Sequence, residues 1–281
     1  MLNFSSNYFK ESIMLNINQK IRLEADRASL IGGGGEGTVD NFRMSGLEVF
    51  RNLIPRSHVE SLLSDWQSAS SSSSDTRVLG FNPVESLDLP SSLVSLSRSK
   101  EVLSIVSTIF GYNVGVFKRR VVAKDGSYKG SIFLHQDTGY QRGTMEKASL
   151  FIALTDINEN SGGLEFLLGT HKFGYLDDAG EIDSGILGDW PRLKPTLKKG
   201  DAVLMDSRLW HSSGPNESGL PRVMTDFIYQ NGNDASSIEV IDALTGEFEE
   251  CESLVRYDSP TVFSRSRVKT IQELTKKIDG K

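Results

Sequence analysis

The run SIFLHQDTGY (residues 131–140) closes a strand-like segment with a histidine and a carboxylate two positions apart. Alternate side chains of a strand share a face, so Phe133, His135 and Asp137 would point one way and Leu134 and Gln136 the other. An imidazole and a carboxylate placed like this serve as two metal ligands, a proton-transfer pair or a salt bridge. The chain has four histidines: His58, His135, His171 and His211. His211 stands in DSRLWHSSGPN, just past the strand-like DAVLM. Two imidazoles and one carboxylate on one face of a metal leave the opposite positions open, as in the facial sites of non-haem Fe(II) centres. His-x-Asp alone is common by chance, and a structural salt bridge or a turn histidine is the plain alternative. The chain beyond the motif adds weight. Arg222 follows His211 by eleven residues at the head of RVMTDFIYQ. A guanidinium there can grip a carboxylate through two parallel hydrogen bonds, which lysine cannot. Ser213 can add a hydroxyl to the same carboxylate.

These residues need a frame. After Gly111 the chain breaks into short apolar or alternating runs, among them VGVFKRRVVA, GSIFLHQD, GGLEFLLG and GDAVLMDS, separated by glycine-rich or polar turns. That texture predicts an antiparallel sandwich or barrel. SLFIAL is apolar on both faces and belongs in the middle of a sheet. Upstream, LEVFRNLI reads as a short strand, and Pro55 suits the opening of a helix. Val59, Leu62, Leu63 and Trp66 then form one apolar stripe, with His58 on the surface. Residues 92–111 read as one or two helices ended by Gly111. SASSSSSD (68–75) reads as a solvated loop and IGGGGEGTVD (31–40) as a connector. The latter lacks the Lys-Ser/Thr pair of a phosphate loop. Near the C-terminus Val268, Ile271 and Leu274 fall in helical register. The expected organisation is an irregular lead-in over 1–43, a core over 44–232 and a C-terminal extension over 233–281 packed on the same domain.

Bulk composition narrows the function classes. The chain has 281 residues and a net charge of −6, which favours solubility and weighs against sequence-independent nucleic-acid binding. Cys251 is the single cysteine, so an intrachain disulfide and a one-chain thiolate cluster are excluded, and an idle thiol is the plain reading. The opening residues have no signal-peptide pattern, and no apolar run reaches the roughly 18 residues of a membrane span. A cytoplasmic protein is expected, with neither nucleic acid nor membrane as partner.

His135, Asp137, His211, Ser213 and Arg222, together with NSGGLEFLLGTHKFG (160–174), resemble the phytanoyl-CoA dioxygenase family. The resemblance runs from about Ser45 to Gln230; Leu-Gly-Thr-His stands where the family usually has Pro-Gly-Ser-His. It implies a mainly β fold with flanking helices, the double-stranded β-helix or cupin-like jelly-roll barrel. It further implies an Fe(II)- and 2-oxoglutarate-dependent dioxygenase that hydroxylates a small-molecule metabolite, releasing succinate and CO2, with dioxygen as cosubstrate. His135, Asp137 and His211 would hold the metal; Arg222 and Ser213 would hold the far carboxylate of 2-oxoglutarate. Asp137 occupies the position that related halogenases leave vacant for chloride, which points to hydroxylation, with desaturation or ring formation as variants.

By period two Lys118 and Arg120 share one strand face and Arg119 and Val121 the other. Relatives use this strand to touch 2-oxoglutarate or substrate, and Arg120 is the position expected to do so. Lys124 resembles a lysine near the site mouth of the family. Solvated charges on an outer face are the plain reading of all three, and an inward orientation would favour an anionic substrate. The resemblance makes His171 a non-ligand that bonds a loop. Trp190 and Trp210 read as pocket lining or core, and Tyr140 as a residue reaching the pocket. A jelly-roll isomerase or epimerase, or a barrel that binds a small molecule without turnover, are the competing readings. Substrate choice is expected in the N-terminal helices, the Ser-rich region and residues 175–194.

Overall fold

The computed structural model describes residues 38–72, 89–126, 130–176, 181–182 and 189–251. Its frame is two antiparallel sheets packed face to face. The main sheet has the order β1 (Leu47–Phe50), β7 (Ala202–Asp206), β4 (Lys147–Ile152), β9 (Arg222–Asn231), β2 (Asn113–Lys124), β10 (Glu239–Asp242) and β11 (Phe248–Glu250). The second sheet has the order β3 (Ile132–His135), β8 (His211–Ser213), β5 (Leu164–Leu167) and β6 (Arg192–Leu193). This is the expected jelly-roll sandwich. Phe151, Phe166, Val203, Met205 and Met224 interdigitate between the sheets. Every residue of β4 is buried, as its two-sided apolar pattern requires of an inner strand.

The outer face of the main sheet is covered by helices. α2 (Arg56–Ser72), α3 (Ser91–Ser97) and α4 (Lys100–Phe110) lay Val59, Leu62, Trp66, Leu93, Val102 and Val106 on Val121, Leu150, Phe227 and Tyr229. The Ser99 side chain caps α4 by accepting the Val102 N–H, and Gly111 ends it at φ 75°. Two expectations are corrected. Residues 38–43, read as irregular, lie within α1 (Thr38–Ser45), which forms because Phe42 buries in the core while Ser45 turns the chain into β1. The serine tract is helical as far as Ser72, since α2 carries on past its apolar stripe in residues that tolerate the helix. Strands β10 and β11, for which the pattern raised no expectation, extend the main sheet beyond β2. Most of the glycine-rich connector, the end of the serine tract, much of 175–194 and the Val268–Leu274 stripe lie outside the described residues.

One irregularity decides what the sandwich contains. β2 and β9 pair antiparallel, but the register slips between Val116 and Lys118. Val114 and Val116 face the helices; past the slip the odd positions Val121 and Ala123 do so. A one-residue bulge exchanges the two faces of everything after it. Lys118, Arg120, Val122 and Lys124 are thereby turned inward, opposite Ile228, Asp226, Met224 and Arg222.

Gly200 offers a test of the packing around β1. Its φ is 90°, and a Cβ there would lie 2.0 Å from the Ile54 carbonyl oxygen. Its own carbonyl accepts the Ile54 N–H at 3.1 Å. Gly200→Ala is expected to cost about 2–3 kcal/mol and to lower Tm by roughly 5 °C, measured by thermal denaturation; an unchanged Tm would contradict this close approach.

Candidate metal centre

β3 ends and β8 begins on paired residues, His135 opposite His211. Asp137 is not the third residue of an inward strand face, as its spacing suggested. It opens a 3-10 turn, Asp137–Tyr140. The turn forms because the Ser207 carbonyl accepts the N–H groups of both Asp137 and Thr138, at 3.0 and 3.2 Å. Gln136, buried on the opposite side, donates to the Gly174 and Arg208 carbonyls at 2.7 Å each and accepts the Leu176 N–H at 3.1 Å. The short segment carrying two site residues is thus held from both sides.

The result is a compact set. One ligand atom from each of His135, Asp137 and His211 lies within 4.8 Å of the others, an arrangement that fits a metal ion. Asp137 Oδ1 is 3.5 Å from His135 Nε2 and 3.8 Å from His211 Nε2. His135 Nδ1 lies 2.8 Å from the Phe133 carbonyl and His211 Nδ1 3.0 Å from that of Leu209. If each Nδ1 keeps its proton for that carbonyl, each Nε2 lone pair is left for a ligand role. Electrostatics agree with a cation site. Burial and the His135 ring push His211 down to about 4, so it is neutral at physiological pH. Burial alone would raise the Asp137 carboxyl, but His211, His135 and Arg120 hold it well below the carboxylate range.

The other histidines are elsewhere. His58 is exposed on α2. His171 is buried with Nε2 3.0 Å from the Arg43 carbonyl, and its ring lies over Gly46, where a Cβ would meet Nδ1 at 2.6 Å. Its neighbour Thr170 accepts the Trp210 N–H at 3.0 Å and so steadies the residue before His211. Trp190 and Trp210 pack with Leu134, Leu167 and Phe173 as core.

Two cavities meet at His135 and Asp137, and they also share Arg120, Val122 and Ile132. The smaller, about 70 Å³, also reaches His211, Ser213 and Arg222. Arg222 is fully buried, and burial lowers its guanidinium to about 10, still a cation at neutral pH. Its Nε and Nη2 and the Ser213 hydroxyl have no hydrogen-bond partner among the described residues. Nη1 has, among the described residues, only the Met224 sulfur at 3.4 Å. Directly across the strands sits Lys124, buried and donating to the Ser213 and Gly214 carbonyls. The solvated reading of Lys124 is therefore corrected: the bulge turns it inward, and burial with the Arg222 charge pushes it down to about 7.

The larger cavity, about 340 Å³, extends past His135 and Asp137 to Phe117, Lys118, Phe133, Tyr140 and Ile228. Arg120 Nε donates to the fully buried Asp226 at 2.5 Å. Sequence reading passed over Asp226, although it lies an even four residues after Arg222 on one strand and hence on the same face.

A family model described as phytanoyl-CoA dioxygenase (PhyH) matches residues 42–224. An uncharacterized protein of Saccharomyces cerevisiae is 29% identical over 113 residues, which is 38% of this chain and 31% of that protein; the chain thus spans under a third of this curated relative. Among solved structures, the epimerase SnoN from nogalamycin biosynthesis, in complex with Fe3+, alpha-ketoglutarate and nogalamycin RO, superposes with a TM-score of 0.65 at 17% identity. It covers 81% of this chain and 90% of SnoN. EctD from S. alaskensis, with 2-oxoglutarate and 5-hydroxyectoine, gives 0.61 at 19% identity over 70% of this chain and 76% of EctD. HygX from Streptomyces hygroscopicus, with nickel and 2-oxoglutarate, gives 0.56 at 14% over 72% and 88%. At these identities the likeness is one of fold.

Asp137→Ala is expected to weaken Co(II) binding by about 100-fold or more, since even residues behind a ligand cost 10–100-fold. His58→Ala should leave it unchanged. Equilibrium dialysis checks both, and equal affinities in the two variants would remove Asp137 from the metal site.

Proposed function

Because the chain belongs to the phytanoyl-CoA dioxygenase family, and with it to the Fe(II)/2-oxoglutarate-dependent oxygenases, we propose that it hydroxylates a small organic metabolite, with His135, Asp137 and His211 holding Fe(II) and Arg222 and Ser213 holding 2-oxoglutarate. One observation carries the cosubstrate assignment. Arg222 is a buried cation with no carboxylate partner among the described residues, beside an unpartnered hydroxyl, in a cavity that opens on the three metal-ligating side chains. Leaving a buried charge unpaired costs several kcal/mol, so such a residue is retained where a ligand completes it. Lys124 directly opposite is pushed down to about 7 by burial and the Arg222 charge, so an anion between them would favour its protonated form. A dicarboxylate whose one end reaches the metal and whose other end lies on Arg222 and Ser213 satisfies the Arg222 charge.

The donor set fits iron: two imidazoles and one carboxylate, with Asp137 Oδ2 buried and unpartnered among the described residues. Bound there, Fe(II) with 2-oxoglutarate and dioxygen supplies the oxidising power; one oxygen atom goes to succinate, formed with CO2, and the other to the hydroxylated product. The chain's part is to orient and to exclude water. Its backbone carbonyls fix the imidazoles, Asp137 completes the ligand set, and Arg222 sets the direction of the cosubstrate. Arg120, which lines both cavities, stands between cosubstrate and substrate. An isomerase without cosubstrate, or a barrel without turnover, leaves the buried Arg222 charge without a purpose.

Anaerobic addition of Fe(II) and then 2-oxoglutarate to the apoprotein should produce a weak visible charge-transfer band that requires both. Absence of the band alongside tight binding of another divalent metal would favour the isomerase or the silent barrel. Arg222→Leu should raise the 2-oxoglutarate concentration at half-saturation by roughly 10–100-fold, the worth of hydrogen bonds to a charged group, while Fe(II) affinity stays within about two-fold of wild type in equilibrium dialysis. An unchanged requirement would place the clamp elsewhere.

A further inference from the structure

The larger cavity begins at the metal-ligating side chains on the side away from Arg222, which is where a second ligand has room. Its walls are mostly apolar: Phe117, Val122, Ile132, Phe133 and Ile228. Among the described residues its charged lining beyond His135 and Asp137 consists of Lys118 and Arg120, both basic. They are neighbours on the inward face of β2 because the bulge places them there. Arg120 is anchored from behind by Asp226, which sits opposite it on β9 and does not itself line the cavity. Asp137, the one carboxylate in the lining among the described residues, is committed to the metal in the reading above.

We infer that the substrate is an organic anion: an apolar body lodged between Phe117, Ile132, Phe133 and Ile228, with a negatively charged group received by Lys118 and Arg120. This rests on the oxygenase reading and narrows it to a substrate class. Two cations in a half-enclosed, largely apolar recess raise the local concentration of an anion and hold it more strongly than the same charges would in open water. Arg120 offers a fixed planar partner because Asp226 holds its Nε edge, and Lys118 adds a point charge beside it on the same strand face. The volume, about 340 Å³, lies at the small end of cavities that hold organic ligands. A single metabolite-sized carboxylate or phosphate ester fits that space; a coenzyme-linked chain does not fit inside it.

The test uses wild-type protein loaded with Fe(II) and 2-oxoglutarate under argon. Hexanoate, octanoate and 3-phenylpropanoate are each titrated against the corresponding neutral amide by isothermal calorimetry. At least one acid should bind ten-fold or more tightly than its amide, with a preference that shrinks as salt is raised. Lys118→Gln should remove most of that preference and Lys118→Arg should keep it. No preference in any pair overturns the inference, as does a preference that survives Lys118→Gln intact. The visible band of the wild-type iron and 2-oxoglutarate complex is recorded in the same samples. A band without acid preference overturns the substrate class alone, whereas loss of the band overturns the oxygenase reading beneath it.

Discussion

The pairing of β2 with β9, and the slip in it at Phe117, is the constraint on which the interior depends. Before the slip, even-numbered residues of β2 pack against the helices; after it they look into the sandwich. Without that extra residue Arg120 and Lys124 would be pressed into the apolar layer beneath α4, and Val121 and Ala123 would line the site. The cost of burying two cations under helices would exceed anything the ladder supplies. With the bulge, Arg120 meets Asp226 and Lys124 meets Arg222, and the electrostatic character of the site follows.

The second sheet has a different task. It is short and is tied to the main sheet through loops rather than ladders, yet it supplies both imidazoles. Its accuracy comes from backbone groups. The Ser207 carbonyl bends the chain after His135, the Gln136 amide pins the far side of the bend, and Thr170 holds Trp210 ahead of His211. Carbonyls at Phe133 and Leu209 set the ring orientations. Each is a group whose position is given by strand geometry, so no long side chain has to be ordered to aim a ligand.

A folded protein seldom gathers three basic side chains, two of them buried, around one recess without compensation. Here Asp226 answers Arg120, and carbonyls of the β8 end answer Lys124. Arg222 has no such answer among the described residues. The fold therefore stores an unmet demand for negative charge on one side of His135, Asp137 and His211. Stability is given up for a site that is complete only with its ligand, and binding of an acid there is also expected to stabilise the native state through mass action.

Much of this was legible in the chain. Alternating short runs signalled an antiparallel sandwich, the two-sided apolar run 149–154 signalled an inner strand, and the stripe Val59–Trp66 signalled a covering helix, because burial acts on patterns local to each element. The residue types of the site were also readable, since two histidines, a carboxylate and an arginine at the head of a strand limit the chemistry. What the sequence could not show was set by contacts between distant segments. The bend that takes Asp137 off its strand depends on a carbonyl seventy residues away. The burial of Lys124 and the Arg120–Asp226 pair depend on a bulge that period-two reading does not see. Strand β10 was missed because Glu239 is buried only through Arg98 and Arg119 from other elements. Sequence by itself determined the architecture and the ligand chemistry; tertiary structure alone decided which charges face inward, because a single inserted residue in a ladder reverses every side chain that follows it.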